Sequence, residues 1–174
     1  MRKLRKYSST MPALALIVMV LGSVAAFSQK GFMMLRTGRP EVKVMLSGTV
    51  ERDDNKIPVE KASLVKSGET LDWTIVSINE GNAPANDYHA VAKIPEGTQF
   101  VAGSAAADRA AVVEFSLDNG KTFSTKPTIE EKQPDGSIKK VAAPVSMYTQ
   151  VRYEWADPLN QGETVKASYK VRLK

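Results

Sequence analysis

The sequence predicts an all-β protein in which two antiparallel sheets pack face to face as a β-sandwich. Three observations lead to this fold class. Apolar and polar residues alternate in several runs, most regularly in residues 164–174. Gly, Pro and Asn separate these runs at the spacing of turns. No segment after Ser28 has the periodicity of an amphipathic helix.

Residues 1–28 have the pattern of a secretory signal-peptide helix. A basic start precedes the apolar run 13–21, and small residues follow it, with cleavage predicted after Ala26 or after Ser28. The alternative is an uncleaved anchor, but the run is shorter than the roughly 20 residues of a membrane span. The sequence therefore predicts export to the periplasm, cell surface or medium, with membrane contact only through this segment before cleavage.

Charge and cysteine content narrow the function further. The whole chain has 24 basic and 19 acidic residues, and four of the basic residues lie before Gln29. Their removal leaves 20 basic residues against 19 acidic ones, so the remaining chain is nearly neutral and no nucleic-acid partner is predicted. The chain has no cysteine, which excludes disulfides and a lipid-modified cysteine.

The first half of the chain divides into a connector and a series of strands. Residues 29–40 are a linker or a first edge strand, and residues 41–174 form a single predicted sandwich domain. Residues 41–50 are a predicted strand with Val42, Val44 and Leu46 on one face. Residues 57–64 are a weaker strand, in which Pro58 indicates an edge position or a strand start.

The central stretch, residues 64–103, contains two strand-like runs around a turn. The runs are residues 71–78 and 88–94, and the turn between them is Asn-Glu-Gly-Asn-Ala-Pro at 79–84. A short strand at 99–102 follows the turn at 95–97. Residues 103–111 are predicted to form a loop.

The second half is predicted to contain hairpins and two long closing strands. Asp118-Asn119-Gly120 lies between alternating runs, which is typical of a hairpin turn. A second, exposed hairpin arm is predicted near residues 126–145, with its tip at 134–136. Residues 151–155 and 165–173 alternate so regularly that each is predicted to bury one face.

Two blocks of the sequence resemble a known family. SGETLDWTIVSINEGNAPANDYHAVAKIPEGTQFVAGS, residues 67–104, and YTQVRYEWADPLNQGETVKASYKVRLK, residues 148–174, are similar to the conserved repeat domain of bacterial and archaeal surface proteins, domain of unknown function eleven. The resemblance implies an immunoglobulin-like sandwich in an exported or cell-surface protein, and it supplies no catalytic residues. Ser67 stands where the family often has Pro, and Lys93 stands where Asp is common.

The side chains that could carry chemistry point to no catalytic, metal or cofactor site. His89 is the only histidine, so a nitrogen–sulfur metal site or a histidine-based triad is not predicted, and a surface position is expected. The acidic turn at 53–55 has too few oxygen ligands for calcium. Ser116-x-Asp118-x-Gly120-x-Thr122 resembles an Asp-box hairpin, which implies a turn held by side-chain bonds to backbone amides.

Candidate partner-binding residues are aromatic or basic. Trp73, Tyr153, Trp155 and Tyr169 share strand faces with aliphatic residues and are predicted to lie in the core. Tyr88 and Tyr148 are the better candidates for an exposed contact. The last strand also carries a basic face: Lys166, Lys170, Arg172 and Lys174. These side chains either meet an acidic envelope polymer or lipid headgroups, or they protect an edge strand from aggregation.

The sequence therefore predicts a non-enzymatic, exported module with a structural or adhesive role at the cell envelope, whose partners are envelope or surface proteins or polymers. The alternative is a periplasmic binding or chaperone-like protein that engages a partner by strand addition. An unpaired, apolar first or last strand would favour the alternative.

Overall fold

A computed structural model describes residues 38–52 and 55–174 of the chain. The predicted signal peptide, most of the connector at 29–40 and two residues of the acidic turn lie outside the described residues. The described residues form strands in the following chain order: β1 Val42–Arg52, β2 Asn55–Pro58, β3 Thr70–Asn79, β4 His89–Lys93, β5 Thr98–Phe100, β6 Ala106–Ala107, β7 Ala111–Ser116, β8 Thr128–Lys132, β9 Ile138–Ala142, β10 Gln150–Trp155 and β11 Thr164–Leu173.

The strands form two facing antiparallel sheets, which confirms the all-β class. The first sheet has six strands in the order β2-β1-β3-β11-β5, with β6 also paired to β11. The second sheet has three strands in the order β4-β10-β7. Strands β8 and β9 pair only with each other and form a separate hairpin, most of whose residues are exposed.

The core lies between the two sheets and takes side chains from both. Leu71, Ile75 and Val171 from the first sheet belong to the same buried cluster as Val151 and Ala92 from the second. Each of the strands β3, β10 and β11 buries every second residue or nearly so. This burial follows from the two-residue period of a strand that covers a core on one face only.

Two buried tyrosines connect the sheets by hydrogen bonds in opposite directions. The Tyr153 hydroxyl, from the second sheet, donates to the carbonyl oxygen of Ser168 in the first at 2.7 Å. The Tyr169 hydroxyl, from the first sheet, donates to the carbonyl oxygen of Lys93 in the second at 2.8 Å. Burial raises the pKa of both hydroxyls, that of Tyr169 to about 12, so both remain protonated donors. The predicted core positions of Tyr153, Trp155 and Tyr169 are confirmed.

Several predicted elements differ from the structure in length or position. The strand expected at 57–64 ends at Pro58, and a 3₁₀ turn, Val59–Lys61, follows it. Strand β2 is nevertheless the outermost strand of its sheet, as Pro58 indicated. The loop expected at 103–111 contains the short strand β6. The turn after β7 does not lead into a second hairpin strand. The returning chain pairs with β7 through a single bridge between Phe115 and Ser124.

A glycine in β1 allows Trp73 to lie across that strand. Gly48 pairs with Trp73 of β3, and a Cβ atom at position 48 would lie 2.8 Å from the indole ring. The same Cβ atom would lie 3.0 Å from a methyl group of Val59. The indole and the 3₁₀ turn therefore meet over Gly48, where β1 passes from its unpaired half to the half that pairs with β2.

Asn79 is a fully buried amide that joins three parts of the chain. Its Oδ1 accepts the amides of Glu41 at 3.1 Å and Gly81 at 3.0 Å, and its Nδ2 donates to the carbonyl oxygens of Ala83 at 2.7 Å and Leu159 at 2.9 Å. The side chain thus uses both donors and both lone pairs of the amide. These bonds hold the start of β1, the turn at 79–84 and the loop before β11 together.

We expect Asn79→Ala to lower the free energy of unfolding by about 3 kcal/mol, because it leaves several buried backbone groups without partners. The matched control is Asn82→Ala in the same turn, which removes one exposed bond from the Arg39 amide and is expected to cost about 1 kcal/mol or less. Urea denaturation measures both. Equal losses in the two variants would contradict the role assigned to Asn79.

Candidate interaction groove

Residues 42–48, more than half of β1, form a sheet edge with which no described strand pairs. Strand β2 pairs only with Thr49–Arg52 of β1, in a register from Thr49–Pro58 to Arg52–Asn55. Residues 42–48 pair with β3 on one side, and no described strand pairs with them on the other. This segment therefore presents backbone groups that another strand could use.

The direction of those backbone groups follows from the pairing with β3. The carbonyl oxygen of Glu41 accepts the amide of Glu80 at 2.8 Å and so faces β3. In an antiparallel ladder the residues alternate between facing the partner and facing away. The amides and carbonyls of Val42, Val44 and Leu46 therefore point outward from the free edge.

The side chains of these three residues face a groove between β1 and β4, which we call the β1–β4 groove. The groove has a volume of about 550 Å³ and is lined by Val42, Val44, Leu46, Ile75 and residues 88–93. Val44 is 53% exposed and Leu46 is 54% exposed, although both lie on the core-facing side of the first sheet. They are exposed because the second sheet ends at β4 and does not cover β1.

Strand β4 forms the opposite wall of the groove and is the edge of the second sheet. Its core-facing residues are Ala90 and Ala92, whose small side chains are buried and leave the groove open. The Ile94 amide donates to Thr149 of the segment before β10, so the peptide groups of His89, Val91 and Lys93 point away from β10.

The two tyrosines predicted to make exposed contacts are both half-buried. Tyr88 lines the groove and stacks on Trp155 with ring centroids 5.5 Å apart. Its hydroxyl is buried and has no hydrogen-bond partner among the described residues. Tyr148 lies elsewhere and stacks on Phe115 at 4.6 Å. Tyr88 therefore belongs to the groove, whereas Tyr148 packs in an aromatic cluster.

The predicted basic face lies on the outer surface of the first sheet. Lys166 and Arg172 are exposed and Lys170 is partly exposed, opposite Asp72 of β3. Lys174 follows the strand, and its amide donates to the carbonyl of Gly97. The interpretation of this face as protection of an edge strand is wrong, because β11 lies between β3 and β5.

The Ser116–Thr122 turn is built by its side chains. The Ser116 hydroxyl accepts the amide of Gly120 at 2.8 Å, and Asp118 accepts the amide of Thr122 at 2.9 Å and its hydroxyl at 2.6 Å. Asn119 and Gly120 both have positive φ, as the hairpin signal implied. These bonds make the motif a structural turn.

Two further findings concern other kinds of site. His89 is exposed, and within residues 38–52 and 55–174 no group of three or more His, Cys, Asp or Glu side chains is arranged to hold a metal ion. No helix among the described residues is long and apolar enough to cross a membrane.

Comparison of the chain with family models, curated proteins and solved structures found no match in any of the three. The evidence for the groove as a binding site therefore comes from the residues of this chain and not from a related protein. Sequence reasoning did not identify Val44, Leu46, Ala90 or Ala92 as site residues. The available signal was the consecutive apolar run Val44-Met45-Leu46 beside a weak neighbouring strand, since a strand buried on one face alternates instead.

The stability of the protein should fall in acid as Asp118 is protonated. Hydrogen bonds from the hydroxyl and amide of Thr122, and from the hydroxyl of Ser116, lower the pKa of Asp118 from 3.8 to about 2. The folded state then binds fewer protons than the unfolded state between these values. The ionised carboxylate of Asp118 therefore stabilises the fold fully above about pH 4, and this contribution is lost as the pH falls through about 2.

Asp118→Asn should therefore reduce the loss of stability between about pH 4 and pH 2, as measured by urea denaturation at each pH. Carboxyl ¹³C NMR of the unsubstituted protein should place the titration of Asp118 near pH 2. A midpoint close to 3.8 would show that the turn does not hold the carboxylate as described.

Proposed function

We propose that this protein is a non-enzymatic, exported module with an immunoglobulin-like fold, which binds a partner protein at the cell envelope by accepting a strand in the β1–β4 groove. The observation that carries the proposal is the free edge at residues 42–48, whose outward peptide groups adjoin exposed apolar side chains. The signal-peptide pattern supports export, and the resemblance to surface-protein repeats supports the fold and the envelope location.

Burial of apolar surface supplies one part of the proposed affinity. Val44 and Leu46 are each about half exposed, so covering both contributes about 2 kcal/mol, since full burial of such a side chain is worth about 1.5–3 kcal/mol. Backbone hydrogen bonds to Val42, Val44 and Leu46 supply the second part. In strand addition the backbone hydrogen bonds provide affinity for any extended segment, and the apolar contacts of alternate side chains select which segment binds.

Within residues 42–48, the free edge lacks the prolines and groove-side charges that natural sheets use against unwanted pairing. Residues 42–48 contain one charged residue, Lys43, and no proline. Lys43 faces the outer surface and forms an ion pair with Glu80 at 3.6 Å. The groove side of the edge is therefore uncharged, which favours a surface that receives a strand.

Val44→Lys tests the proposal, because a charge on the groove side opposes strand addition. The full exported chain would carry a photo-crosslinking residue in place of Met45, which lies on the same edge and is half exposed. In intact cells we expect the crosslink to map to one extended segment of an envelope protein, and Val44→Lys should reduce its yield about tenfold or more.

The matched control is Val112→Lys. Val112 is 51% exposed and lies on β7, the opposite edge of the second sheet, so the same substitution there should leave the crosslink unchanged. Thermal unfolding checks that both variants fold. An equal yield from Val44→Lys and from the unsubstituted chain, or the absence of any crosslinked envelope protein, would refute strand acceptance.

An adhesive role is a second candidate, supported by the basic face of β11. Lys166, Lys170 and Arg172 project from one surface of an interior strand, where the edge-protection explanation does not apply. A flat sheet face with several cations attracts acidic polymers through long-range electrostatics. This role requires a different surface from the groove, so the two functions can be tested separately.

Replacing Lys166, Lys170 and Arg172 with Gln should reduce binding to alginate, an acidic polysaccharide, several-fold at low salt. The matched control replaces Lys132, Lys139 and Lys140 of the β8–β9 hairpin with Gln, which makes the same change in net charge. Sedimentation with alginate beads at two salt concentrations measures the difference. Equal losses in both triple variants would mean that net charge, not this face, drives adhesion.

A further inference from the structure

We infer that the incoming strand joins β1 rather than β4, and that it is a short extended segment with apolar side chains at alternate positions and an acidic rather than a basic end. This inference rests on the proposed function and specifies its site and partner. It follows from the length of the free edge, the direction of the peptide groups and the residues that line the groove.

The length of the free edge limits the length of the incoming segment. At one end, Pro40 occupies the next outward-facing position before Val42 and has no amide hydrogen to donate. At the other end, Pro58 of β2 pairs with Thr49, and Val59 lies over Gly48. Residues 42–48 therefore accept about seven residues, an extended length of about 23 Å.

The two edges of the groove differ in how well they can receive a strand. On β1, the residues with outward peptide groups have apolar side chains in the groove. On β4, the corresponding residues are His89, Val91 and Lys93, and their side chains lie on the exposed outer face. The carbonyl of Lys93 also already accepts the Tyr169 hydroxyl at 2.8 Å. Of these two described edges, only β1 thus combines outward peptide groups with apolar side chains that face the groove.

The lining of the groove determines which side chains suit the segment. Ala90 and Ala92 leave space opposite Val44 and Leu46, so bulky residues such as Ile or Leu fit the groove-facing positions. Among the residues that line the groove, all of them described, no carboxylate is present, and the one formally charged residue is Lys93, whose side chain starts from the outer face of β4 at the rim of the groove. An acidic residue at the Lys93 end is therefore favoured over a basic one.

Hydrogen exchange with a synthetic peptide identifies the edge directly. The probe is a seven-residue peptide with Ile at alternate positions, Thr between them and a terminal Glu, and the control peptide has the same composition with the Ile residues adjacent. We expect the probe alone to slow exchange of the Val42, Val44 and Leu46 amides about tenfold or more, as measured by NMR.

Proline substitutions test the same assignment through affinity. Val44→Pro removes an outward amide while sparing the ladder to β3, and it keeps an apolar side chain. It should weaken peptide binding about tenfold, because the facing carbonyl loses its donor. Val91→Pro makes the same change on β4 and should leave affinity unchanged. Val44→Ala, which keeps the amide, should weaken binding only about threefold, and thermal unfolding verifies each variant.

The outcomes separate this inference from the proposed function. Protection of the His89, Val91 and Lys93 amides, with loss of binding in Val91→Pro and not in Val44→Pro, would overturn the assignment to β1 but retain strand acceptance. Binding of neither peptide, while the crosslink at position 45 persists, would overturn the proposed chemistry of the segment. The absence of a crosslink from position 45 to an envelope protein, or an undiminished crosslink in Val44→Lys, would refute the proposed function.

Discussion

The buried amide of Asn79 is the interaction on which the rest of the structure depends. It binds the Glu41 amide, closes the turn through Gly81 and Ala83, and contacts the loop before β11 through Leu159. The backbone at residues 39–41 passes so close to Gly81 that a Cβ atom there would lie 2.3 Å from it. These contacts set the register of β1 against β3, and that register decides which peptide groups face outward. A polar group in the core therefore determines the geometry of the groove at the edge.

The groove exists because the two sheets differ in width. The first sheet has six strands and the second has three, and the reciprocal bonds of Tyr153 and Tyr169 fix the second sheet over β11. Val44 and Leu46 of β1 consequently lie beyond the cover of β4. Strand β1 still contributes Val50 to the core, whereas Val44 and Leu46 are each about half exposed. A bound segment would cover these two side chains.

The sequence was sufficient to predict the strands and most of the side-chain directions, but not which surfaces are covered. Val44 and Leu46 alternate in the same way as Val165 and Val171, yet the first pair is exposed and the second is buried. Alternation reports the face on which a side chain lies, which is local, whereas burial depends on a partner distant in sequence. The same limit explains why β11 could be mistaken for an edge strand. The alternation pattern also does not indicate that β2 ends at Pro58, because that end depends on the turn that packs Val59 over Gly48.

A free apolar edge normally invites aggregation, so its boundaries matter as much as its composition. Here Pro40 ends the row of outward amides on one side, and β2 with Pro58 ends it on the other. Between these limits the outward peptide groups belong to Val42, Val44, Leu46 and Gly48, and Val59 lies over Gly48. A longer strand that paired past the limits would meet a proline without an amide hydrogen on one side and collide with β2 on the other. A short segment that ends within the limits avoids that collision. The edge is therefore open to a strand of defined length while it disfavours the long, continuous pairing that leads to fibres.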